Sequence, residues 1–475
     1  MNINKHIIKL QASVKAVITL FLNLPGDERM KHVVQRVADM KEYEVSETTK
    51  KLMKDFGNRH RNIRETFIQH FHRVENQCAL GLANFSEQKK LLLGAFFTKE
   101  YSIQSAALFN PSIVPHPDQQ GLRPGELRFV MSLRATGEGH ISSIVFQTGI
   151  VDDEDYITLD VPTGYYTRLQ KNEDALYDKK FIHARAEGLS GFDLKVLDLL
   201  PESFTASQSK TIFKDILDKD PSLNSSISVL EEMIDTNYEL KDSSHIPFNE
   251  KVIFPNASGE SMGMEDVRFV KFTHDGESCY YGTYTAYNGK QIRTQLIETK
   301  NFSAFKIRTL YGGAIQDKGM ALFPEKVNGK FVMISRQGGE NISIMFSDNL
   351  YRWEKSEVLM EPKFNWELVQ LGNCGSPIKT EKGWLLLTHG VGVMRTYVIS
   401  AILLDLHDPT QIIGRLENPF IEADESEREG YVPNVVYTCG FMRHGNLLVI
   451  PYAVSDSATG FATIALDDLL SEFKL

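Results

Sequence analysis

The chain is poor in cysteine, with four in 475 residues, and Cys78, Cys279, Cys374 and Cys439 lie far apart with no Cys-x-x-Cys pair. That spacing supplies neither a disulfide framework nor a zinc knuckle; it reads as free thiols in a reducing compartment, so the protein is expected to be cytoplasmic. Long runs of one charge are also missing. The formal charge of −10 is spread along the chain, which excludes a nucleic-acid surface, since that needs clustered Lys and Arg. No apolar run is long enough to span a bilayer, so no membrane partner is expected. The one stretch that imitates a leader, Val14 to Leu24 behind Lys5 and Lys9, is broken by Lys15 and lacks a small-x-small cleavage site; it reads as a β-strand. His60, His70 and His72 do not share a helix face at metal-ligating spacing, and no metal site is expected.

What is present is ordinary globular material, 42% hydrophobic and 24% charged, enough for a sizeable core. Residues 1–100 read as a mainly helical N-terminal extension, with starts at Asp27-Glu28, Ser46-Glu47-Thr48-Thr49 and Ser86-Glu87. From residue 101 to 475 the pattern changes to short β-branched and aromatic runs punctuated by Gly, Asn and Asp. A layout of strand, Gly-containing turn and second strand recurs, with starts at Pro111, Val267, Pro324, Pro377 and Pro433. The last four are 57, 53 and 56 residues apart, the length of a four-stranded propeller blade. The 156 residues between Pro111 and Val267 hold an insertion at about 190–245, where Ser207 to Asp218 and Ser228 to Leu240 carry helical patterns. The expected fold is all-β, a five-bladed β-propeller with a helical N-terminal extension and a helical insertion; a β-sandwich with similar hairpins is the alternative.

In a propeller the first strand of each blade lines a central channel, so polar residues at blade starts and in the following loops converge although distant in sequence. The candidates are Asn110, Arg134, Glu138, Glu265, Asp266, Arg268, Lys318, Glu325, Arg336, His389, Arg395, Asn434 and Asp456. Asp266 stands between Glu265 and Arg268, a like charge and a cation that pull its proton affinity in opposite directions. Taken alone it reads equally as a surface ion pair at a strand end. His389 precedes two glycines and reads as a ligand-facing or a backbone-bonded histidine; Asn434 and Asp456 read as ligand contacts or Asx turns. Trp366, in the polar loop Asn365-Trp366-Glu367, could stack on a sugar, whereas Trp384 reads as core.

Five ordered motifs carry a resemblance: Phe109-Asn110-Pro111, Met264-Glu265-Asp266-Val267-Arg268, Ala321-Leu322-Phe323-Pro324-Glu325-Lys326-Val327-Asn328-Gly329-Lys330, Gly383-Trp384-Leu385-Leu386-Leu387-Thr388-His389-Gly390-Val391 and Val432-Pro433-Asn434-Val435. From about residue 105 onward the chain resembles glycoside hydrolase family 130, the β-mannoside phosphorylases and β-1,2-mannosidases. The resemblance implies a five-bladed propeller and inverting cleavage of β-mannosides. One Asp donates a proton through the mannose 3-hydroxyl, and phosphate or water is the nucleophile. It assigns the donor to Asp266, mannose contacts to Asn110 and Asp456, and positions around the reacting centre to Arg134 and His389.

The departures concern the nucleophile. Glu138, in Thr136-Gly137-Glu138-Gly139-His140, stands where the family has an Arg; Lys318-Gly319 replaces an Arg-Asn pair; and Gln370-Leu371-Gly372-Asn373 is neutral where a Lys is usual. Fewer cations and an added acid favour water. The sequence therefore leans towards an inverting β-mannosidase-type hydrolase of short oligosaccharides, with Asp266 as acid and Glu138 or Glu367 as base. Glu265, Arg268, Lys318, Arg336, Arg395 and Asn434 complete the expected substrate site. The alternative is a mannoside phosphorylase releasing mannose 1-phosphate, in which Lys318, His140 and Arg395 rebuild a phosphate pocket; further off is a non-catalytic sugar-binding propeller. No cofactor is expected beyond inorganic phosphate as co-substrate of a phosphorylase. A homo-oligomer is left open, with the helical regions as contacts or a lid.

Overall fold

The computed structural model describes all residues except 79–81, 83, 188, 243–244 and 474–475. Strands dominate from residue 98 onward, and nine α-helices are present among the described residues. Four of them, Asp27–Ala38, Glu42–Phe56, Ile63–Cys78 and Glu87–Phe96, fall where helical signals were read. Ile63–Cys78 shows why: Ile63, Phe67, Phe71, Val74 and Cys78 recur at three or four residues and are the ones buried. A second group, including Ala206–Lys219 and Asn224–Thr236, occupies the expected insertion. Thr205 opens the former by accepting from the Gln208 amide, while Gln208 bonds back to Thr205.

The strands form antiparallel meanders. The first contains Ala107–Pro115, Leu127–Thr136 and Ser142–Val151. It is joined at one point, Gly263 beside Ser142, to a second running through Gly263–His274, Glu277–Tyr287, Ile292–Thr299 and Ala304–Thr309. Two further meanders occupy residues 321–360 and 370–415. The last, Val436–Tyr437, Leu447–Val454 and Ala458–Ala465, takes its outer strand from the other end of the chain, where Ile3–Gln11 pairs with Ala458–Ala465. The first strand of the supposed extension therefore belongs to the most C-terminal sheet.

Apolar side chains fill the spaces between successive sheets. Strand Trp384–Val391 is buried throughout, and its alternate residues face different layers. Trp384 and Leu386 pack with Phe323, Ile334 and Ile344 of the preceding sheet. Leu385 and Leu387 pack with Leu448, Ile450 and Ile464 of the following one. A strand covered on both faces must read as the continuous apolar run seen in Gly383-Trp384-Leu385-Leu386-Leu387. The first sheet packs on the second through Phe146 and Phe269, and on the last through Phe129 and Phe461. The second packs on the third through Phe272, Leu296 and Met333.

The helical segment 27–96 is anchored by charge as well as packing. Arg61 reaches across to Glu250, which is fully buried, with two bonds of 2.8 and 2.6 Å, and stacks on Tyr165. No helix among the described residues is long and apolar enough to cross a membrane.

Candidate active site

Two β-bulges build the centre of the site. Pairing of Ala107–Pro115 slips between Phe109 and Ser112, and pairing of Gly263–His274 slips between Glu265 and Arg268. The residues released by these slips, Asn110 and Asp266, adopt left-handed backbone conformations with φ of 50° and 56°. Such conformations strain a side-chain-bearing residue and are kept where the surrounding fold over-determines them. The bulges face each other, and Asn110 Nδ2 donates to Asp266 Oδ1 at 2.6 Å. Arg134 adds a second donor to the same oxygen at 3.2 Å and holds Glu265 at 2.8 Å through its other nitrogen. Among the described residues Asp266 Oδ2 has no such partner, which leaves one carboxylate oxygen for a ligand.

Arg268 clamps the bulge from below. One of its nitrogens donates to the Asp266 carbonyl at 3.0 Å and another to the Tyr437 hydroxyl at 2.5 Å. Burial by itself would raise the Asp266 pKa, but Arg134, Arg268 and Lys318, with the Asn110 amide, outweigh it and bring the pKa down to about 2. Asp456 is pushed the other way, up to about 6, by burial and by the Asp266 charge, against the pull of Arg134 and Arg395.

These groups line one cavity of about 300 Å³. Nine of the residues singled out from the sequence border it: Asn110, Arg134, Asp266, Arg268, Lys318, Arg336, His389, Arg395 and Asp456. Six more border it that were not among the candidates, Thr285, Gly319, Gln370, Tyr397, Val435 and Tyr437. Both tyrosines sit in runs that read only as strand.

The remaining candidates lie elsewhere. Glu138 is exposed, 3.5 Å from Lys99, outside the cavity lining. Glu367 is fully buried in a turn, paired with Arg415 and accepting from the Lys363 and Phe364 amides at 2.7 and 2.9 Å. Neither borders the cavity that holds Asp266: one acid points to solvent and the other is paired with Arg415 inside its turn. Glu265 stands behind Asp266, bound to Arg134 and 4.0 Å from Lys318. Asn434 is left-handed at φ 63°, and its carbonyl accepts from the Tyr397 amide while the next residue, Val435, meets the cavity. Glu325 pairs with Lys379 on the surface at 2.5 Å. Trp366 stacks on Phe364 of the same turn and donates to the Glu417 carbonyl, 51 residues along the chain. The described residues contain no cluster of His, Cys, Asp and Glu that could hold a metal ion.

The cavity therefore holds five cations, Arg134, Arg268, Lys318, Arg336 and Arg395, against two carboxylates. Among the described residues no carboxylate lies within 4 Å of Arg336 or Arg395, while Arg134 and Lys318 have acidic neighbours. The site is built to receive an anion.

The family model for glycoside hydrolase family 130, described as beta-1,4-mannooligosaccharide phosphorylase, matches residues 225–474. The 1,2-beta-oligomannan phosphorylase of Thermoanaerobacter sp. (strain X514) is 34% identical over 238 residues, covering 48% of this chain and 77% of that protein. The beta-1,2-mannobiose phosphorylase of Listeria innocua is 30% identical over 246 residues, covering 50% and 67%. A solved structure of that Listeria enzyme with beta-1,2-mannobiose aligns with a TM-score of 0.47 at 22% identity, covering 78% of this chain and 92% of that one. With half of its length matched by the family model, the chain belongs to glycoside hydrolase family 130.

Proposed function

We propose that the protein is an inverting β-mannoside phosphorylase that transfers a terminal mannosyl group from a short oligosaccharide to inorganic phosphate, releasing α-mannose 1-phosphate. The observation that carries this reading is the excess of cations around the cavity, five against two carboxylates. A phosphate dianion held against a sugar in a site shielded from water needs such compensation. Hydrolysis would need Glu138 or Glu367 as base and a site poor in cations. Both acids lie outside the cavity, and Lys318, Arg336 and Arg395 supply positive charge from other positions. The named relatives are phosphorylases as well.

In this reading Asn110 and Arg134 hold one oxygen of Asp266, and the other faces the mannose 3-hydroxyl. A phosphate oxygen attacks the anomeric carbon from the face opposite the leaving group. As the bond from that carbon to the glycosidic oxygen breaks, the proton of Asp266 is relayed to the leaving oxygen. Asp266 is ionised in the empty site at neutral pH, because its pKa lies at about 2. Arriving phosphate cancels the positive field that stabilises the carboxylate, and as the anion binds Asp266 takes up from solvent the proton that it then passes through the 3-hydroxyl to the leaving oxygen. Asp456 stays beside the sugar as a hydrogen-bond partner. We further propose that the five meanders are the blades of a five-bladed propeller, residues 101–475, with Ile3–Gln11 as the outer strand of the last blade. The sequential packing of each sheet on the next, and of the last on the first, supports it.

The test is incubation with β-1,2- and β-1,4-mannobiose with and without phosphate. Mannose 1-phosphate formed only with phosphate is expected. Free mannose at a rate indifferent to phosphate would restore hydrolysis, with Asp456 as the one carboxylate left to serve as base.

A further inference from the structure

Arg268 is a buried cation with no anion in contact. It is 4% exposed, and among the described residues no carboxylate oxygen lies within 4 Å of its guanidinium, although Asp266 is two residues away. Arg134 takes the Asp266 carboxylate instead and is shared with Glu265, while Lys318 also has Glu265 at 4.0 Å. Arg268 gives its hydrogens to two neutral oxygens, the Asp266 carbonyl and the Tyr437 hydroxyl, and its Nε has no partner among the described residues. A guanidinium keeps its proton even when buried, so its charge is drawn to any carboxylate that it can reach. The carboxylate that acts on it most strongly is that of Asp266, the residue whose carbonyl it already holds. Both hydrogen bonds to that carboxylate end on Oδ1, and a turn of the Arg268 side chain about its last bonds would bring a donor to Oδ2.

Tyr437 holds Arg268 back from that turn. It lies on the strand Val436–Tyr437, paired through Ala453 with Leu447–Val454, and so reaches Arg268 from a different sheet. His389 meets its ring edge-on with centroids 4.8 Å apart, and Tyr397 does so at 6.3 Å, which fixes the hydroxyl in place. Burial holds the phenol well above its ordinary pKa, so it is a neutral acceptor. The other groups that face Arg268 are neutral too. Burial raises the Cys374 thiol to about 12, raises Cys439 as well, and holds His389 well below its ordinary value. Arg336 lies beyond, facing Tyr437 and His389. Asp266 is faced in addition by Arg134, Lys318, Glu265 and Asp456.

We propose that the Tyr437 hydroxyl is a positioning group for catalysis: it keeps Arg268 on the backbone of Asp266 and off its carboxylate, so that Oδ2 stays open to the proton that the acid takes up and delivers. This rests on Asp266 being the acid of the reaction proposed above, whichever nucleophile follows. Without the hydroxyl, Arg268 swings onto the carboxylate. A carboxylate paired with Arg loses its proton about one to three pH units lower, and the acid form then exists only in more acidic solution.

Tyr437→Phe removes the hydroxyl and keeps the ring. With β-1,2-mannobiose and phosphate both saturating, the basic limb of its kcat profile should move to lower pH by about one to three units. Above the displaced limb kcat should fall by about 10- to 1,000-fold, the same shift expressed as a rate; below it, kcat should match the parent. Asp456, pushed up to about 6, titrates beside Asp266 in both proteins, so the comparison isolates Arg268. In an Arg268→Met background, Tyr437→Phe should move the limb no further, because the tyrosine acts through the arginine. A variant whose kcat falls by one factor at every pH overturns the proposal, since a loosened fold does not move a limb. So does a raised mannobiose KM with an unmoved limb, which would make the hydroxyl a sugar contact. A wild-type kcat that stays level as the pH rises to about 9 overturns it even if neither variant folds, because an acid that takes its proton from solvent loses it again as the pH rises. Asp266→Asn is measured first: turnover close to the parent there overturns the reading of Asp266 as the acid, and not the placement of Arg268.

Discussion

Replacing Asp266 with Asn tests the acid and the charge balance together. The substitution keeps the size of the side chain and an oxygen for Asn110 and Arg134, but removes both the transferable proton and the negative charge. Loss of a positioned general acid lowers turnover by roughly 10²–10⁴-fold. Loss of the charge acts on stability. A pKa drawn from 3.8 down to about 2 corresponds to roughly 2–3 kcal/mol of net attraction for the ionised form. Because the folded-state pKa is depressed, that stabilisation is present above about pH 4 and is lost as the pH falls through 2. The variant should therefore be less stable than the parent at pH 7, and the gap should close towards pH 2. Phosphate should respond in the opposite sense. A cube with the volume of the cavity has an edge of about 7 Å, and across that distance unit charges interact by about 2 kcal/mol at an effective dielectric constant near 20. Removing a like charge should thus tighten phosphate binding tenfold or more. Product formation, chemical denaturation against pH and calorimetric titration with phosphate measure the three effects. Turnover within tenfold of the parent, or phosphate bound more weakly, would refute the assignment of Asp266 as the ionised acid beside an anion site.

Arg395→Met should raise the phosphate KM by about 10–100-fold, the value of one charge-assisted hydrogen bond, with a much smaller change in mannoside KM; initial rates on both substrates separate the two. Glu138→Gln should leave kcat/KM within about twofold, because an exposed ion pair is worth under about 1 kcal/mol. Glu367→Gln should lower the denaturation midpoint by removing the buried partner of Arg415, about 3 kcal/mol, yet leave the KM values of the folded enzyme unchanged. Arg61→Ala should destabilise by about 3 kcal/mol by stranding the buried Glu250 carboxylate, and adding Glu250→Gln should recover part of the loss in a double-mutant cycle.

Much of this arrangement was legible in the sequence where residue type and spacing act locally. Glycine-punctuated β-branched runs placed the meanders, and the spacing of Val267, Pro324, Pro377 and Pro433 placed their starts. Asp266 stood out because Glu265 and Arg268 flank it, and the cavity does bring it to Asn110 across 156 residues. The errors came where a role depends on burial and direction. Glu138 occupies a loop position that other units use for the cavity, yet its side chain turns out to Lys99. Glu367 looked like a free loop acid because the Arg415 that neutralises it is 48 residues away. Tyr437 was hidden for the opposite reason: a tyrosine between β-branched residues reads as strand, and only the fold reveals that its hydroxyl holds Arg268.

The pairing of Ile3–Gln11 with Ala458–Ala465 also sets the order of assembly. Closing a loop of roughly 450 residues costs about 5 kcal/mol of chain entropy before a single ladder bond is made, so this pairing forms late, after the intervening sheets have shortened the path. Until then Ala458–Ala465 is an open edge able to template aggregation, and refolding yield should depend more on protein concentration than on the stability finally reached. Once seated, the first strand covers that edge and ties the two ends of the chain into one sheet.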